Sequence, residues 1–283
     1  MENRERISLL KSETTLPRDE LIRLIGSYNE SDRDYAASLA REVSLKIFGN
    51  KIYFRGLIEL TNYCRNNCYY CGIRRGNSNV RRYRLTEDDV VSCCDYGYKT
   101  GFRTFVLQGG EDEYFTDERV VALIRLIKEK YPDCALTLSL GEKSRQSYQM
   151  FFDAGANRYL LRHETATESH YAKMHPAELS LANRMRCLCD LREIGYQTGC
   201  GFMVGSPFQT VDNIADDLLY MKDFDPQMVG IGPFIPHKDT PFRDYPAGSA
   251  EQTLFLLSLI RLMLPKVLLP ATTALGTVQG DGR

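Results

Sequence analysis

The sequence predicts a parallel α/β barrel of the TIM type, and two features of the chain indicate it. Short apolar runs alternate with amphipathic stretches whose apolar positions recur at helical spacing. This alternation is typical of a parallel sheet covered by helices, and six or seven units favour a barrel over a doubly wound sheet. Active sites of such barrels lie at the carboxyl ends of the strands, so residues directly after each strand are the first candidates for chemistry.

The strand candidates follow an N-terminal helical stretch, residues 18–49. We expect residues 1–50 to form a helical extension and residues 51–283 to form the barrel. Strands are predicted at 57–61, 103–107, 135–140, 158–161, 198–204 and 228–231, with a weaker seventh at 267–272. Helices are predicted at 86–100, 117–131, 144–154, 181–194, 211–224 and 250–264.

Composition narrows the class of protein. The 283 residues are 43% hydrophobic and 26% charged, which is ordinary for a globular protein. The formal net charge of −1 creates no overall field that would attract nucleic acid. No apolar run is long enough to span a bilayer, and the charged N-terminus does not look like a secretory leader. Nine cysteines in such a chain indicate a reducing compartment, so we expect a cytoplasmic protein that binds neither nucleic acid nor membrane.

Three cysteines directly follow the first predicted strand. Cys64, Cys68 and Cys71 have the spacing C-x3-C-x2-C. Three thiolates on one short loop can bind three irons of a [4Fe–4S] cubane and leave the fourth iron open. The amino and carboxylate groups of S-adenosylmethionine (SAM) suit that position, where reductive cleavage would yield a 5′-deoxyadenosyl radical. The alternatives are three buried thiols or a structural zinc site, although zinc prefers four ligands and no fourth is evident nearby.

Charged residues cluster around the fourth predicted strand. Arg158, Arg162 and Glu164 have the same parity and would face the barrel interior if the strand were regular. Buried charges require ligands or partners, and the planar fork of arginine suits carboxylates. A structural ion-pair network is the alternative. His163 has the opposite parity and is expected to face the helices as a core histidine.

Other polar and aromatic residues occur beside the predicted strand ends. Gln108, Gly109 and Gly110 end the second strand, where two glycines would let the backbone approach a ligand or simply form a tight turn. Tyr70 precedes the last cysteine of the motif and fits an aromatic ring that packs on adenine, or a core aromatic. Ser139, at the end of the third strand, could donate a hydrogen bond to an anion.

Together these segments resemble the radical SAM superfamily and, within it, the HydE maturase family of [FeFe]-hydrogenase. The cysteine motif and the string Val-Leu-Gln-Gly-Gly-Glu-Asp at 106–112 mark the superfamily. The strings Arg-Tyr-Leu-Leu-Arg-His-Glu-Thr at 158–165 and Ile-Gly-Pro-Phe-Ile-Pro-His at 231–237 are more specific to HydE. Biotin synthase and methylornithine synthase share part of this pattern. Proteins of the HydE family continue beyond the point where this chain stops, so the resemblance implies that the eighth strand and its helix, the C-terminal part of the barrel, are missing.

The resemblance implies a [4Fe–4S] cluster, SAM and a set of roles. Residues implied to contact SAM are Tyr70, Gln108, Gly109, Gly110, Glu164, Arg184 and Met203. Residues implied to bind an anionic small molecule in the cavity are Ser139, Arg158, Arg162, Met228, Thr272 and Thr273. The implied substrate is an iron–cysteine organometallic species delivered by partner maturases, with electrons from a reductant protein.

Three other functions stay open at this point. A radical mutase like methylornithine synthase would rearrange an amino acid, and product analysis with lysine would reveal it. Sulfur insertion like that of biotin synthase would need a second cluster, for which Cys134 and Cys200 form an incomplete set. A non-enzymatic iron–sulfur carrier would not cleave SAM, and the charges predicted inside the barrel argue against it.

Overall fold

The computed structural model of the chain describes residues 1–278. Three helices come first, α1 (Asn3–Glu13), α2 (Arg18–Ser27) and α3 (Glu30–Phe48). The next elements are β1 (Gly56–Thr61), α4 (Glu87–Lys99), β2 (Thr104–Gly109), α5 (Asp117–Lys130), β3 (Ala135–Ser139), α6 (Arg145–Asp153) and β4 (Arg158–Leu160). They are followed by α7 (Glu168–Met174), α8 (Leu181–Ile194), β5 (Gln197–Cys200), β6 (Met203–Val204), α9 (Val211–Phe224), β7 (Met228–Val229), β8 (Gly232–Pro233), α10 (Ala250–Met263) and α11 (Thr273–Val278).

The main sheet has six parallel strands in the order β1-β2-β3-β4-β5-β7. Helices connect successive strands, so the predicted fold class is confirmed as a parallel α/β arrangement consistent with a partial TIM-type barrel. The part of the predicted barrel beyond residue 278 lies outside the described residues.

The fifth predicted strand is interrupted where two backbones meet. It divides into β5 and β6, and the neighbouring segment divides into β7 and β8. Between the halves, Gly201 has a φ of +150°, and a Cβ there would lie 2.1 Å from the carbonyl oxygen of Gly230. Only glycine permits this approach, because any side chain would collide with backbone.

Two other predicted elements differ from the structure. Helix α1 begins at Asn3, ahead of the predicted helical stretch, because a capping box between Glu2 and Glu5 starts it. The weak seventh strand is reduced to a single bridge between Leu268 and Met228. Pro270 carries no N–H to extend that ladder, which accounts for its shortness.

The hydrophobic core lies between the outer face of the sheet and the helices. Ile58 on β1 and Leu107 on β2 belong to one buried cluster with Ile7 of α1 and Leu21 of α2. The N-terminal helices therefore share their core with the barrel.

The inner face of the sheet carries different residues. Strand register aligns two rows across it, Leu57, Val106, Thr137, Arg158 and Gln197 in one row and Glu59, Gln108 and Ser139 in the next. Leu57 on this face is 50% exposed, whereas its neighbour Ile58 on the outer face is 4% exposed. The inner face therefore carries a few polar and charged side chains among apolar ones, the composition typical of a ligand-binding cavity. None of the helices within residues 1–278 combines the length and apolar character needed to cross a membrane.

Asp112 joins the end of β1 to the turn after β2. Its carboxylate accepts hydrogen bonds from the Thr61 hydroxyl at 2.8 Å, from the Arg84 guanidinium at 2.7 and 2.9 Å, and from the Tyr114 N–H at 3.1 Å. Burial alone would raise the pKa of Asp112, but the hydrogen bonds from Arg84 and Thr61 lower it overall.

We predict that Asp112→Asn lowers the free energy of unfolding at pH 7 by about 2 kcal/mol, because buried charge-assisted hydrogen bonds are lost. A carboxylate whose pKa is lowered by folding stabilises the protein above its unfolded-state pKa and loses that effect as pH falls through the folded value. The difference between wild type and variant should therefore shrink below about pH 4. Urea unfolding followed by circular dichroism at several pH values measures this difference in the free energy of unfolding. Asp133→Asn, a change at a half-exposed position, serves as the control. A difference that does not change with pH would contradict the prediction.

Candidate active site

The cysteine loop follows β1 and is fixed by backbone hydrogen bonds. Cys64, Cys68 and Cys71 are half-buried, and none forms a disulfide. The Arg65 N–H donates to the Glu111 carbonyl at 2.9 Å, which ties the loop to the residues after β2. The three thiols therefore lie on a loop held at the carboxyl end of the sheet, where the fold predicts an active site.

Gly110 brings the end of β2 into contact with this loop. A Cβ at Gly110 would lie 2.1 Å from the Tyr63 carbonyl oxygen and 2.7 Å from the Cys64 Cβ. The sequence predicted that the two glycines permit a close approach to a ligand. The structure shows that Gly110 approaches the cysteine loop itself.

Arg82 holds the returning part of the loop, a role that the sequence did not reveal. Its guanidinium donates to the carbonyls of Ile73 at 2.8 Å, Arg74 at 2.7 Å and Asn77 at 3.1 Å, and also to the carbonyl of Asn62. One arginine therefore closes the segment that follows Cys71 against the end of β1.

The three thiols fit a [4Fe–4S] cluster. Burial raises the pKa of Cys68 to about 12, and the neighbouring Cys71 and Cys64 thiols also raise it. Burial likewise raises the pKa of Cys64 and of Cys71. Three half-buried thiols with raised pKa values would need a cationic centre to become thiolates, and iron would supply it. Within residues 1–278 no three ligand side chains converge on a single ion, but a cubane does not require this, since each thiolate binds its own iron.

Tyr70 lies beside an apolar cluster and is oriented by a histidine. Its hydroxyl donates to His175 Nε2 at 3.1 Å, and His175 Nδ1 donates to the Tyr171 carbonyl at 3.0 Å. Burial lowers the pKa of His175 to about 4, so the ring is neutral and this tautomer is the stable one. The apolar cluster that Tyr70 packs against consists of Met174, Met203, Phe234 and Phe242.

Glu164 has an acceptor atom without a partner. The residue has a φ of +66°, and its N–H donates to the Gly201 carbonyl at 3.0 Å. Its buried Oε2 accepts no hydrogen bond from any residue within 1–278. Its charge also raises the pKa values of Cys68 and Cys71, so it lies close to both thiols. A cationic ligand such as the amino group of SAM would satisfy this oxygen.

Arg184 is buried on α8 and held by an acidic partner. Its Nε lies 2.5 Å from a Glu142 oxygen, and its Nη1 donates to the Arg162 carbonyl at 2.8 Å. Asn183 donates to the other oxygen of Glu142 at 2.5 Å. Burial would lower the pKa of Arg184, but the nearby Tyr171 and Glu142 raise it overall. The sequence did not single out Glu142, although a carboxylate directly after an apolar strand is a detectable signal.

Arg158, Arg162 and Glu164 do not share one strand face as the sequence predicted. Strand β4 ends at Leu160, and the positive φ of Glu164 turns the chain away from the strand direction. Arg162 lies at the carboxyl end, where its Nε donates to the Gly230 carbonyl at 2.7 Å. Arg158 lies at the start of the strand and Arg162 two residues beyond its end.

Arg158 faces a second arginine that sequence reasoning missed. Arg55, Thr137, Arg158 and Met228 line a small cavity at this end of the sheet. Burial lowers the pKa of Arg158, and burial together with the charge of Arg158 lowers that of Arg55. Among residues 1–278, neither arginine has a carboxylate within 4 Å, so the cavity carries uncompensated positive charge. The parity of Thr137 with Ser139 was the signal that could have identified Thr137.

The remaining predicted residues are spread around the cavity. Ser139 and Gln108 are register neighbours, and both are half-buried on the inner face. Thr272 has a buried hydroxyl without a partner in residues 1–278, close to Gly232. Thr273 begins α11. Thr273 is exposed, so of these two threonines only Thr272 has a buried hydroxyl with unused hydrogen-bonding capacity.

His163 faces the helices, as the sequence predicted. It is fully buried, its Nδ1 accepts from the Gly201 N–H at 3.2 Å, and its Nε2 lies 3.3 Å from Asp217 of α9. It therefore stabilises the turn that carries Glu164 from the outer side of the sheet.

Comparison with known proteins identifies the class. A family model of the radical SAM superfamily matches residues 58–221. The fold and the cysteine loop thus define a radical SAM enzyme, which uses a [4Fe–4S] cluster and SAM.

A curated relative narrows the family. Over 245 residues the chain is 46% identical to the [FeFe] hydrogenase maturase subunit HydE of Thermotoga maritima. This alignment covers 87% of this chain and 70% of that protein. The chain belongs to the HydE family of the radical SAM superfamily.

Other matches are more distant. The 3-methylornithine synthase of Methanosarcina acetivorans is 28% identical over 264 residues, 93% of this chain and 74% of that protein. A crystal structure of methylornithine synthase superposes with a TM-score of 0.88 at 25% identity, covering 98% of this chain and 83% of that one. A crystal structure of HydG, a maturase of the [FeFe]-hydrogenase, superposes with a TM-score of 0.82 at 21% identity, covering 94% of this chain and 62% of that one. At this identity the match shows similarity of fold alone.

We predict that Gly110→Ala lowers the iron and sulfide content of the anaerobically reconstituted protein severalfold, because the new Cβ would displace Tyr63 and Cys64. Gly26→Ala is the matched control, since the nearest atom to a Cβ there is Val211 Cγ1 at 4.0 Å and alanine favours its helix. Colorimetric iron and sulfide assays measure the outcome. Full cluster content in the Gly110→Ala variant would refute the role given to this contact.

Proposed function

We propose that this chain reductively cleaves SAM at a [4Fe–4S] cluster held by Cys64, Cys68 and Cys71, and acts in assembly of the H-cluster of [FeFe]-hydrogenase. The 46% identity with the HydE maturase subunit carries the proposal. The buried Glu164 oxygen supports it, because it lies close to Cys68 and Cys71 and has no partner among residues 1–278.

The residues around the cysteine loop bind and orient SAM. When bound, the cluster and SAM supply a 5′-deoxyadenosyl radical. Glu164 accepts hydrogen bonds from the amino group, and Arg184, fixed by Glu142, presents positive charge to the carboxylate. Tyr70 and Met203 pack against the nucleoside. Gln108, Gly109 and Gly110 complete this set at the end of β2, where backbone groups are within reach of the loop.

The inner face of the sheet binds an anionic substrate. Arg162 lies just beyond the carboxyl end of β4, and Arg158 lies at its amino end. The cavity therefore has positive charge at both ends of this strand. The side chains that complete it are Ser139, Met228, Thr272 and Thr273. The substrate is an iron–cysteine organometallic species, delivered by partner maturases, and a reductant protein supplies the electrons. All nine cysteines are unpaired, which supports a reducing compartment, the cytoplasm.

A radical mutase of the methylornithine synthase kind is the second candidate. The TM-score of 0.88 over 98% of the chain favours it. Incubation with lysine and SAM, followed by mass spectrometry of the amino acid products, distinguishes the two functions.

We predict that the protein supports anaerobic in vitro maturation of apo-[FeFe]-hydrogenase when the partner maturases are present and this protein is the only variable. Hydrogen evolution should depend on its addition and should vanish with Cys68→Ala, which removes a cluster ligand. SAM cleavage without hydrogenase activation would contradict the maturase role. A normal [4Fe–4S] spectrum in Cys68→Ala would contradict the cluster assignment.

We predict that Arg158→Ala and Arg162→Ala retain the cluster absorbance but weaken binding of a carboxylate probe, cysteine, by at least about tenfold, because a charge-assisted hydrogen bond is lost. Isothermal titration of the reconstituted protein measures this. Arg125→Ala, an exposed change on α5, serves as the control. Loss of the cluster absorbance in either cavity variant would argue against the assignment of these residues to the cavity.

A further inference from the structure

The cysteine loop is embedded in a segment of one charge sign. Residues 60–86 contain six arginines and no aspartate or glutamate, although the whole chain has a formal net charge of −1. The arginines of this segment are Arg65, Arg74, Arg75, Arg81, Arg82 and Arg84. Arg82 and Arg84 are used inside the structure, by the loop carbonyls and by Asp112. Arg65, Arg75 and Arg81 are exposed around the loop, and Arg74 is half-buried.

The outer arginines are available to a partner. The side chains of Arg65 and Arg75 are 55% and 64% exposed, and Arg81 is also exposed. Arg65 pairs with the buried Glu111 at 3.0 Å, so Arg75 and Arg81 are the two of the three that have no buried partner among residues 1–278. Arg75 is paired only with Glu178, at 3.6 Å, and that glutamate is itself 60% exposed, so the pair is weak. Within residues 1–278, Arg81 has no carboxylate within 4 Å. We call Arg65, Arg75 and Arg81 the arginine face.

A second loop extends the positive surface. A polar groove of about 420 Å³ separates Arg74 from Lys238 and Arg243. Asp239 and Asp244 also line it, but Asp239 accepts from Asn79 at 2.8 Å and Asp244 lies 3.4 Å from Arg243. The three cations therefore exceed the two acids, and the groove continues the charge of the arginine face.

The arginine face is attached directly to the cluster ligands. Arg65 follows Cys64 in the chain, and the Arg75 N–H donates to the carbonyl of Asn66 at 2.8 Å. The Arg74 N–H donates to the Cys71 carbonyl at 3.1 Å. A partner bound to this face thus sits against the loop that holds the iron.

Exposed tyrosines adjoin the same surface. Tyr63 and Tyr114 are exposed, and the Arg84 guanidinium lies 3.9 and 4.8 Å from their ring centroids. Tyrosine and arginine are enriched at the energetic centres of protein interfaces, because they provide rigid, amphipathic contact area. Charge and aromatic surface therefore coincide beside the cluster loop.

We propose that the arginine face is the docking surface for an acidic, low-potential one-electron carrier protein of the flavodoxin kind. The proposal rests on the proposed function, in which each reductive cleavage of SAM consumes one electron. One electron passes from the reduced carrier to the oxidised cluster, which leaves the carrier oxidised by one electron and forms or breaks no bond. A redox carrier is favoured over other acidic partners because it must approach the cluster itself. Complementary charge would steer that encounter.

The test uses the holoenzyme and a purified acidic flavodoxin. Arg75→Glu combined with Arg81→Glu should raise the Kd for flavodoxin at least about tenfold at low ionic strength, and the difference should diminish at high salt. Flavodoxin-driven formation of 5′-deoxyadenosine should fall by a similar factor, while dithionite-driven formation is unchanged. Arg125→Glu on α5 is the matched control and should leave both values unaltered. Arg81→Glu alone guards against misfolding of the double variant.

Each outcome decides the matter. An unchanged flavodoxin Kd would overturn the proposal, as would an equal loss of flavodoxin-driven and dithionite-driven cleavage, which would indicate damage to the cluster site. Tighter binding of duplex DNA than of flavodoxin, abolished by the same variants, would also overturn it. If dithionite drives no SAM cleavage in wild type but the variants still lose flavodoxin binding, the proposed function fails while the docking surface stands.

Discussion

The arrangement of the site depends on a chain of carboxylate contacts that begins at Glu111. Its side chain accepts hydrogen bonds from Arg65 at 3.1 Å and from the Glu142 N–H at 2.9 Å, so it connects the cysteine loop to the segment after β3. Glu142 in turn binds Arg184, and Arg184 binds the carbonyl of Arg162. One series of buried polar contacts therefore links the ends of successive strands. Such networks specify a geometry because a missing member leaves the others unsatisfied.

This chain of contacts explains how a loop-borne site becomes rigid. Three cysteines on a loop would be mobile if only their own backbone held them. Contacts from β2 through Gly110, from Glu111 and from Arg82 restrict the loop from three directions. The three thiols and the charged groups beside them then lie at fixed positions relative to one another, which is the preorganisation that catalysis requires.

The fold class and the cysteine motif could be predicted because both depend on local patterns. Strand–helix alternation and C-x3-C-x2-C spacing are visible within short windows of sequence. The division of β5 from β6 was not predictable, because it arises from contact of Gly201 with Gly230, which are far apart in the chain. The turn at Glu164 was missed for a related reason, since parity arguments assume that a strand stays regular. Arg55 became recognisable only when tertiary structure placed it beside Arg158. Thr137 and Glu142 carried local signals, strand parity and a carboxylate directly after an apolar strand, that the sequence reasoning did not use.

The close approach of Gly201 and Gly230 affects more than strand pairing. By ending the ladder there, it leaves the carbonyl of Gly230 free to accept from Arg162, and that of Phe202 also lies 3.3 Å from the same guanidinium. A carbonyl oxygen does not titrate in the physiological range and has no rotamers. Arg162 therefore keeps the same backbone partners at every pH at which the protein stays folded. Its orientation towards the cavity is thus insulated from the proton exchange and redox events that take place around it.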